Sequence, residues 1–488
     1  METVKKHKKS ILLFMIALVL SGIMCFAFFQ PHYPHDTYNI AKDGYTDYAK
    51  QRFLQDARPF TAILTILADK ISVSIELCSL LSFVLALTFL SSAVVIVYNL
   101  LEKEEIGENK LRKIMLFLIS FLMVFNYLAV EYIYFFEACM MALGIFLSVL
   151  AVKTIIIEEK YAYIKSLLLL IIGVFCYQGS IAVFPMLLLT YFVLFKRNNI
   201  KEVVITIAKS ALMYGFAMLL TILFSNLLFQ NTRIQMGELV LNLETIGDAL
   251  YCLVIESLNV LPIYMHLAIL ILTSIILCFN KNDKIKLLLG YWVTVLASII
   301  ICIMPIITGS GIGLEIRTCY AFGITIGISC LFILYTSQNA VESASRFLTI
   351  ISYTLIILLF ITNMVIYIVV TNQHIMVNKL DEANCQIIKK YIEEYEKATN
   401  IQVTRIAAII KGEGNEYYPG CLEIGDMTQS ALNTWSVREA IDFYIGRWLK
   451  FAPITIEQFL DFFGDKTWNS FSKDQIHIEG EVLYFCGN

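Results

Sequence analysis

Long apolar blocks separated by short polar segments fill the first three quarters of the chain. Ile11 to Phe29, Ser210 to Gln230 and Phe347 to Asn372 contain no charged side chain. Each is long enough to cross a hydrocarbon core about 30 Å thick. Continuous runs of this length predict membrane spans rather than half-buried helices of a soluble core. The pattern predicts eleven, near residues 10 to 29, 76 to 100, 112 to 130, 133 to 153, 161 to 176, 178 to 196, 203 to 230, 259 to 280, 285 to 307, 316 to 336 and 347 to 371. Tyr161 to Phe195 also reads as one kinked helix. Breaking it at Cys176-Tyr-Gln-Gly-Ser keeps the later loops on the side that their charges prefer.

Two regions depart from this pattern. In the loop from Gln30 to Leu77, Ile40, Ala41, Tyr45, Tyr48, Ala49, Phe53 and Leu54 recur at helical spacing among polar residues, which predicts an amphipathic helix on the membrane surface. Pro59 to Asp69 and Asp248 to Ser257 are similar. After Thr371 the chain becomes polar. Asp381 to Ala398 reads as a charged helix, Ile401 to Ile410 as a strand, Ser436 to Leu449 and Thr455 to Phe463 as helices, and Gln475 to Phe485 as closing strands or a hairpin. The expected fold class is therefore mainly α: a polytopic membrane part, residues 1–371 with the loop 30–77, followed by a small α/β or α+β domain, residues 372–488.

Composition agrees. The 488 residues are 58% hydrophobic and 16% charged, with mean hydropathy +0.72, outside the range of ordinary soluble domains. The net charge of −3 averages over loops on both sides of a membrane and gives no argument for a nucleic-acid partner. Local charge is more informative. Lys103, Lys110, Arg112 and Lys113, then Lys153, Lys160 and Lys165, then Lys196, Arg197 and Lys201, and then Lys281, Lys284 and Lys286 fall in alternate loops, while the intervening ones hold little that is basic except Arg233 and Arg317. This positive-inside asymmetry puts the N-terminus in the cytoplasm and the tail outside. Lys5 to Lys9 precede an apolar run that is long for a signal peptide and lacks a small-residue cleavage site, so it reads as an uncleaved first span. Most of the twelve cysteines sit in apolar blocks without metal-ligand spacing. Cys385, Cys421 and Cys486 in the tail allow one disulfide, with the pair left open.

The candidate chemistry lies on the outer side. Asp36, just past the first span, is placed for a general base on a hydroxyl, or is simply a loop acid or helix N-cap, which sequence alone favours. Asp43 and Asp47, spaced i, i+4 on one expected helix face, and Asp56 share that ambiguity. Arg317 and Arg233 are isolated cations at outer span ends, able to snorkel or to hold a phosphate with paired donors. Glu131 and Glu137 flank a turn rich in aromatics. They are either site carboxylates or acids facing water beside an aromatic belt. Tyr177 and Gln178, at the next outer turn, bind sugar hydroxyls or satisfy helix ends.

His35-Asp-Thr-Tyr, Gly44-Tyr through Asp56-Ala-Arg-Pro, Tyr134-Phe-Phe-Glu-Ala, Cys176-Tyr-Gln-Gly-Ser, Glu315-Ile-Arg and, more loosely, Ala431-Leu-Asn-Thr-Trp occur in an order and sidedness that resemble the GT-C class of membrane glycosyltransferases. Within that class the chain looks most like the serotype-converting O-antigen glucosyltransferase (glucosyl transferase type II) family. The resemblance implies transfer of a sugar, with glucose expected, from a polyprenyl-phosphate donor to a cell-surface glycan, with inversion and without a metal or other cofactor. It implies that Asp36 activates the acceptor. Families of this class show two adjacent acids there, whereas this chain has Asp36 with Asp43 and Asp47 farther on, so Asp47 stands as a second catalytic candidate. Arg317, helped by Arg58 or Arg233, would hold the donor phosphate. Glu137, Tyr177, Gln178, Asp43 and Glu131 would line the sugar and acceptor pocket. The implied setting is the cytoplasmic membrane with an extracytoplasmic site, membrane lipid around it, and a polyprenyl-phosphate glucosyltransferase and a flippase acting upstream. The competing readings are a non-enzymatic lipid-linked oligosaccharide flippase or transporter, which predicts repeats and midplane charges that the sequence lacks, and a glycan polymerase.

Overall fold

Every apolar segment singled out by the hydropathy pattern carries helix in the computed structural model. The structure describes residues 2–54, 56–104, 109–158, 160–196, 200–229, 243–261, 263–281, 284–308, 315–340, 342–411, 417–466 and 468–487. Among them, eight helices are long and apolar enough to cross a membrane. Lys110–Val124 and Tyr127–Ile133 reach that length and hydropathy only taken together, and they meet at a 59° bend. Ala162–Cys176 and Tyr264–Leu277 are apolar but shorter. The protein is thus a mainly α polytopic chain. Leu212, Leu289 and Ile350 stand exposed on the outward faces of their helices, as lipid-facing side chains do.

The chain divides into two units: residues 1–26, 49–65 and 79–368, and residues 27–48, 66–78 and 369–488. In the first, the segment Ile316–Gln338 is the most enclosed, at 89% buried. Gly323 and Gly327, one turn apart, explain its close approach to Lys110–Val124. A Cβ at Gly323 would lie 2.1 Å from Asn126 Oδ1, and one at Gly327 would lie 2.6 Å from Met123 Cγ. Small residues at this spacing let membrane helices pack backbone to backbone.

At the 59° bend neighbouring side chains donate to the backbone carbonyls. Tyr320 Oη donates to the Val124 carbonyl at 2.7 Å, Asn363 Nδ2 to that of Phe125 at 2.6 Å and Tyr367 Oη to that of Asn126 at 3.0 Å. The Asn126 side chain accepts from the Leu128 amide at 3.1 Å and so starts the next turn. Irregular backbone among apolar helices is tolerated only when satisfied in this way. The bend sets the direction of Tyr127–Ile133, which carries Glu131 and Tyr132.

The second unit is built on a four-stranded sheet of order β2-β1-β4-β3, with β1 Arg405–Ile410, β2 Lys450–Phe451, β3 Ile476–Glu479 and β4 Val482–Gly487. β1 runs parallel to β2 and β4, while β3 and β4 form a hairpin closed at Gly480 (φ +57°). Apolar residues cover both faces. Phe485, Leu483 and Ile406 pack with Cys385, Ile388 and Ile441, whereas Cys486, Tyr484 and Ala407 pack with Phe463 and Trp468. Successive strand residues point to opposite faces, so Cys385 and Cys486 belong to cores on opposite sides of the sheet. Cys385, Cys421 and Cys486 all remain free thiols.

Three features differ from the sequence expectations. The last span and the charged tail helix form one helix, Glu342–Thr399, because nothing between Thr371 and Leu380 breaks it. It ends where Asn400 turns left-handed (φ +57°). The first-loop amphipathic segment is two helices, His35–Asp43 and Tyr45–Leu54, divided at Gly44 (φ +83°, ψ 168°), a conformation that glycine tolerates. Asp43 and Asp47 therefore do not share one helix face; both are exposed.

Candidate functional site

Helix ends and breaks of the first unit gather a cluster of ionic and aromatic side chains. Arg52 lies on the helix Tyr45–Leu54, and Asp56 and Arg58 lie between that helix and Pro59–Lys70. Glu137 is the N-cap of Ala138–Ile156. Tyr177 is extended (φ −162°, ψ 124°) between Cys176 and the short helix Gln178–Ala182, which divides the segment 161–195 into two helices.

Glu137 is the hub of the first half of the cluster. Its Oε1 lies 3.3 Å from Arg52 Nε and 3.2 Å from Arg58 Nη1, with its side chain only 3% exposed. Arg52 also pairs with Asp56 at 2.6 Å. Arg58 Nε donates to Gln178 Oε1 at 3.2 Å, and Gln178 Nε2 donates to the Asp56 carbonyl at 2.7 Å. The Arg58 guanidinium lies over the Tyr177 ring, 4.6 Å from its centre.

Glu131 organises the other half. It bonds the Arg317 guanidinium through Oε1 and the Arg317 backbone amide through Oε2, the latter at 2.7 Å. The Arg317 guanidinium also lies over Phe135, 4.9 Å from the ring centre. Tyr132 Oη donates to the Arg317 carbonyl at 3.0 Å. Tyr132 meets Tyr177 edge to face at 5.5 Å, joining the halves. Gly179 sits against both rings: an added Cβ would come within 2.8 Å of Tyr177 Cε1 and 2.9 Å of Tyr132 Oη.

Glu131 and Glu137 are buried, so the alternative of acids facing water beside an aromatic belt does not hold. Burying charge is costly unless it is paired, and here each carboxylate meets a guanidinium. Arg58 and Arg317 keep 17% and 21% of their side chains accessible. Each is held on one edge by a carboxylate and on its face by an aromatic ring, with its head group oriented in advance. Three cations, Arg52, Arg58 and Arg317, stand against Asp56, Glu131, Glu137 and the more exposed Glu315, whose Oε2 is 3.9 Å from Arg317. The cluster therefore has no net positive field, and an anion would be held by direct donation from guanidinium edges.

Of the residues expected from sequence, Arg58, Glu131, Glu137, Tyr177, Gln178 and Arg317 come together here. Asp36, Asp43 and Asp47 belong to the second unit, where Asp36 lies in the first turn of its helix and is half-buried. Arg233 lies outside the described residues. Arg52 was not anticipated, although its i, i+4 spacing to Asp56 is the pattern of a helical ion pair. Comparison of the chain with models of protein families, with curated proteins and with solved structures returns no match.

Proposed function

We propose that the protein is a glycosyltransferase that moves a sugar, with glucose the first candidate, from a polyprenyl-phosphate donor to a cell-surface glycan on the outer side of the membrane. The observation that carries this reading is the pair of partly accessible arginines, Arg58 and Arg317, each anchored by a buried glutamate and stacked on an aromatic ring. Prepositioned guanidinium groups suit a phosphate leaving group, whose charge grows in the transition state and is stabilised best by donors already in place. Tyr177 and Gln178, beside Arg58, are of the residue types that bind sugar rings and hydroxyls. The Lys and Arg asymmetry of the loops supports an extracytoplasmic site.

The base is assigned by the family resemblance to Asp36, with Asp47 as the second candidate. The test is transfer of labelled glucose from synthetic polyprenyl-phosphate-glucose to a cell-wall glycan extract, using purified wild type, Arg317→Ala, Asp36→Asn and Asp47→Asn. Transfer by the wild type that falls at least about a hundredfold in folded Arg317→Ala supports the reading, at the level of a lost charge-stabilising donor. A comparable loss in Asp36→Asn or Asp47→Asn identifies the base. Absence of transfer from any lipid-phosphate sugar, together with movement of lipid-linked glycan across vesicles, replaces the proposal with the flippase.

A further inference from the structure

Two helices of the first unit, Ala162–Cys176 and Ile200–Phe229, pack side by side. At one end the Lys209 ammonium lies over the Tyr163 ring, 5.0 Å from its centre, and at the other Phe175 meets Phe224 with 5.2 Å between ring centres. The two helices therefore run parallel. From Tyr163 to Phe175 is about 18 Å at the helical rise, more than half of a hydrocarbon core about 30 Å thick.

Each helix turns a stripe of side chains outward, because residues three and four apart share one helix face. On the first, Lys165, Leu168 and Ile172 are exposed; on the second, Ile205, Lys209, Leu212, Phe216 and Leu219 are. Lys165 is the only charged residue from Ala162 to Cys176, and Lys209 is the only one from Val203 to Phe224. Both stripes are thus cationic at the same end and apolar beyond it. Among the described residues Lys209 pairs with no carboxylate.

An ionisable residue inside an apolar span calls for a partner. A long lysine stem can carry its charge to the headgroup level, where the group of opposite charge is a lipid phosphate. The lysine-rich loops place this end of both helices on the cytoplasmic side. A soluble anion would use the two cations alone and gain nothing from the stripes. A zwitterionic lipid brings its own cation, which competes with the lysines for the phosphate. An anionic lipid matches both parts: its phosphate meets Lys165 and Lys209, and its acyl chains lie along Leu168 and Ile172 and along Leu212, Phe216 and Leu219.

We propose that the paired stripes bind an anionic phospholipid of the inner leaflet, with its phosphate held by Lys209 and Lys165. The site lies at the opposite end of Ala162–Cys176 from Tyr177 and Gln178, so it is separate from the arginine cluster. It stands whether or not the transferase reading does.

The test uses the full chain in nanodiscs with phosphatidylglycerol and phosphatidylcholine probes that carry the same photoactivatable acyl chain, crosslinked peptides being mapped by mass spectrometry. In the wild type the ratio of phosphatidylglycerol to phosphatidylcholine labelling at residues 168–172 and 212–219 should exceed the ratio at exposed Leu296, on the helix Lys284–Thr308, by at least about fivefold. Lys209→Gln should bring the ratio down to that of Leu296, and Lys209→Arg, which keeps the charge, should preserve it. Equal labelling by the two probes in the wild type, enrichment that survives in Lys209→Gln, or loss in Lys209→Arg as well overturns the proposal. Loss of the enrichment when millimolar inorganic phosphate is added at constant ionic strength assigns the lysines to a free anion and also overturns it.

Discussion

Replacing Glu137 by Gln removes one negative charge from between the buried Arg52 guanidinium and the partly accessible Arg58 guanidinium while keeping nearly the same shape. In the structure Glu137 Oε1 is 3.3 Å from Arg52 Nε and 3.2 Å from Arg58 Nη1. At an effective dielectric constant of about 20, a unit pair at that distance attracts with roughly 5 kcal/mol. The gross attraction of the two pairs is then about 10 kcal/mol, much of it offset by the desolvation of three charges. Gln retains an oxygen acceptor but removes the carboxylate charge that both guanidinium groups meet, leaving Arg52 its ion pair with Asp56 and Arg58 its bond to Gln178. The net cost expected for stranding a buried charge is about 3–5 kcal/mol. The assay is unfolding by sodium dodecyl sulfate titration in mixed micelles, with Arg58→Gln and the double variant completing a cycle. The double variant should be less damaging than the sum of the singles by at least about 1 kcal/mol, as expected for side chains in direct contact. A Glu137→Gln protein within about 1 kcal/mol of wild type, or strict additivity in the cycle, would refute the reasoning, because Glu137 would then not compensate these arginines.

Further outcomes follow from other contacts. Gly179→Ala forces a Cβ against Tyr177 and Tyr132 at 2.8 and 2.9 Å; overpacking of this kind costs about 1–3 kcal/mol, and transfer activity should fall at least tenfold while the protein still elutes as a folded species. Asn363→Ala strands the Phe125 carbonyl at the 59° bend and should destabilise the chain by about 1–3 kcal/mol, whereas exposed Leu212→Ala should lie within about 1 kcal/mol of wild type in the same titration. Asp442, on the helix Val437–Ile445, is fully buried, and desolvation raises its pKa from 3.8 to about 7, with Lys42, Arg438 and Glu439 as the charged groups acting on it. Its raised value makes the contribution full below pH 3.8 and lost as pH rises through 7. Hydrogen exchange of residues 437–449 in the full chain should accelerate between pH 5.5 and 8 beyond the intrinsic pH dependence, and Asp442→Asn should abolish that excess.

The apolar runs alone determined the membrane character and the helical segments, because a span needs only length and the absence of charge, both of which are local. The same holds for the tail: alternating residues at Ile401 to Ile410 and Gln475 to Phe485 anticipate β1, β3 and β4, since a strand buried on its two faces selects β-branched and aromatic side chains wherever it pairs. Strand order was not legible, because the parallel pairing of Arg405–Ile410 with Val482–Gly487 joins residues that are distant in sequence. The division at Gly44 turned on one residue's φ, which a hydrophobic pattern does not report. The candidate site was legible as residue types but not as partners. Arg317 and Glu131, or Arg58 and Glu137, are separated by 186 and 79 positions, and no periodicity links them. Only the tertiary structure decided that each acid is buried against a cation rather than facing water. The physical reason is that pairing and desolvation are properties of neighbours in space, whereas hydrophobic length is a property of the chain itself.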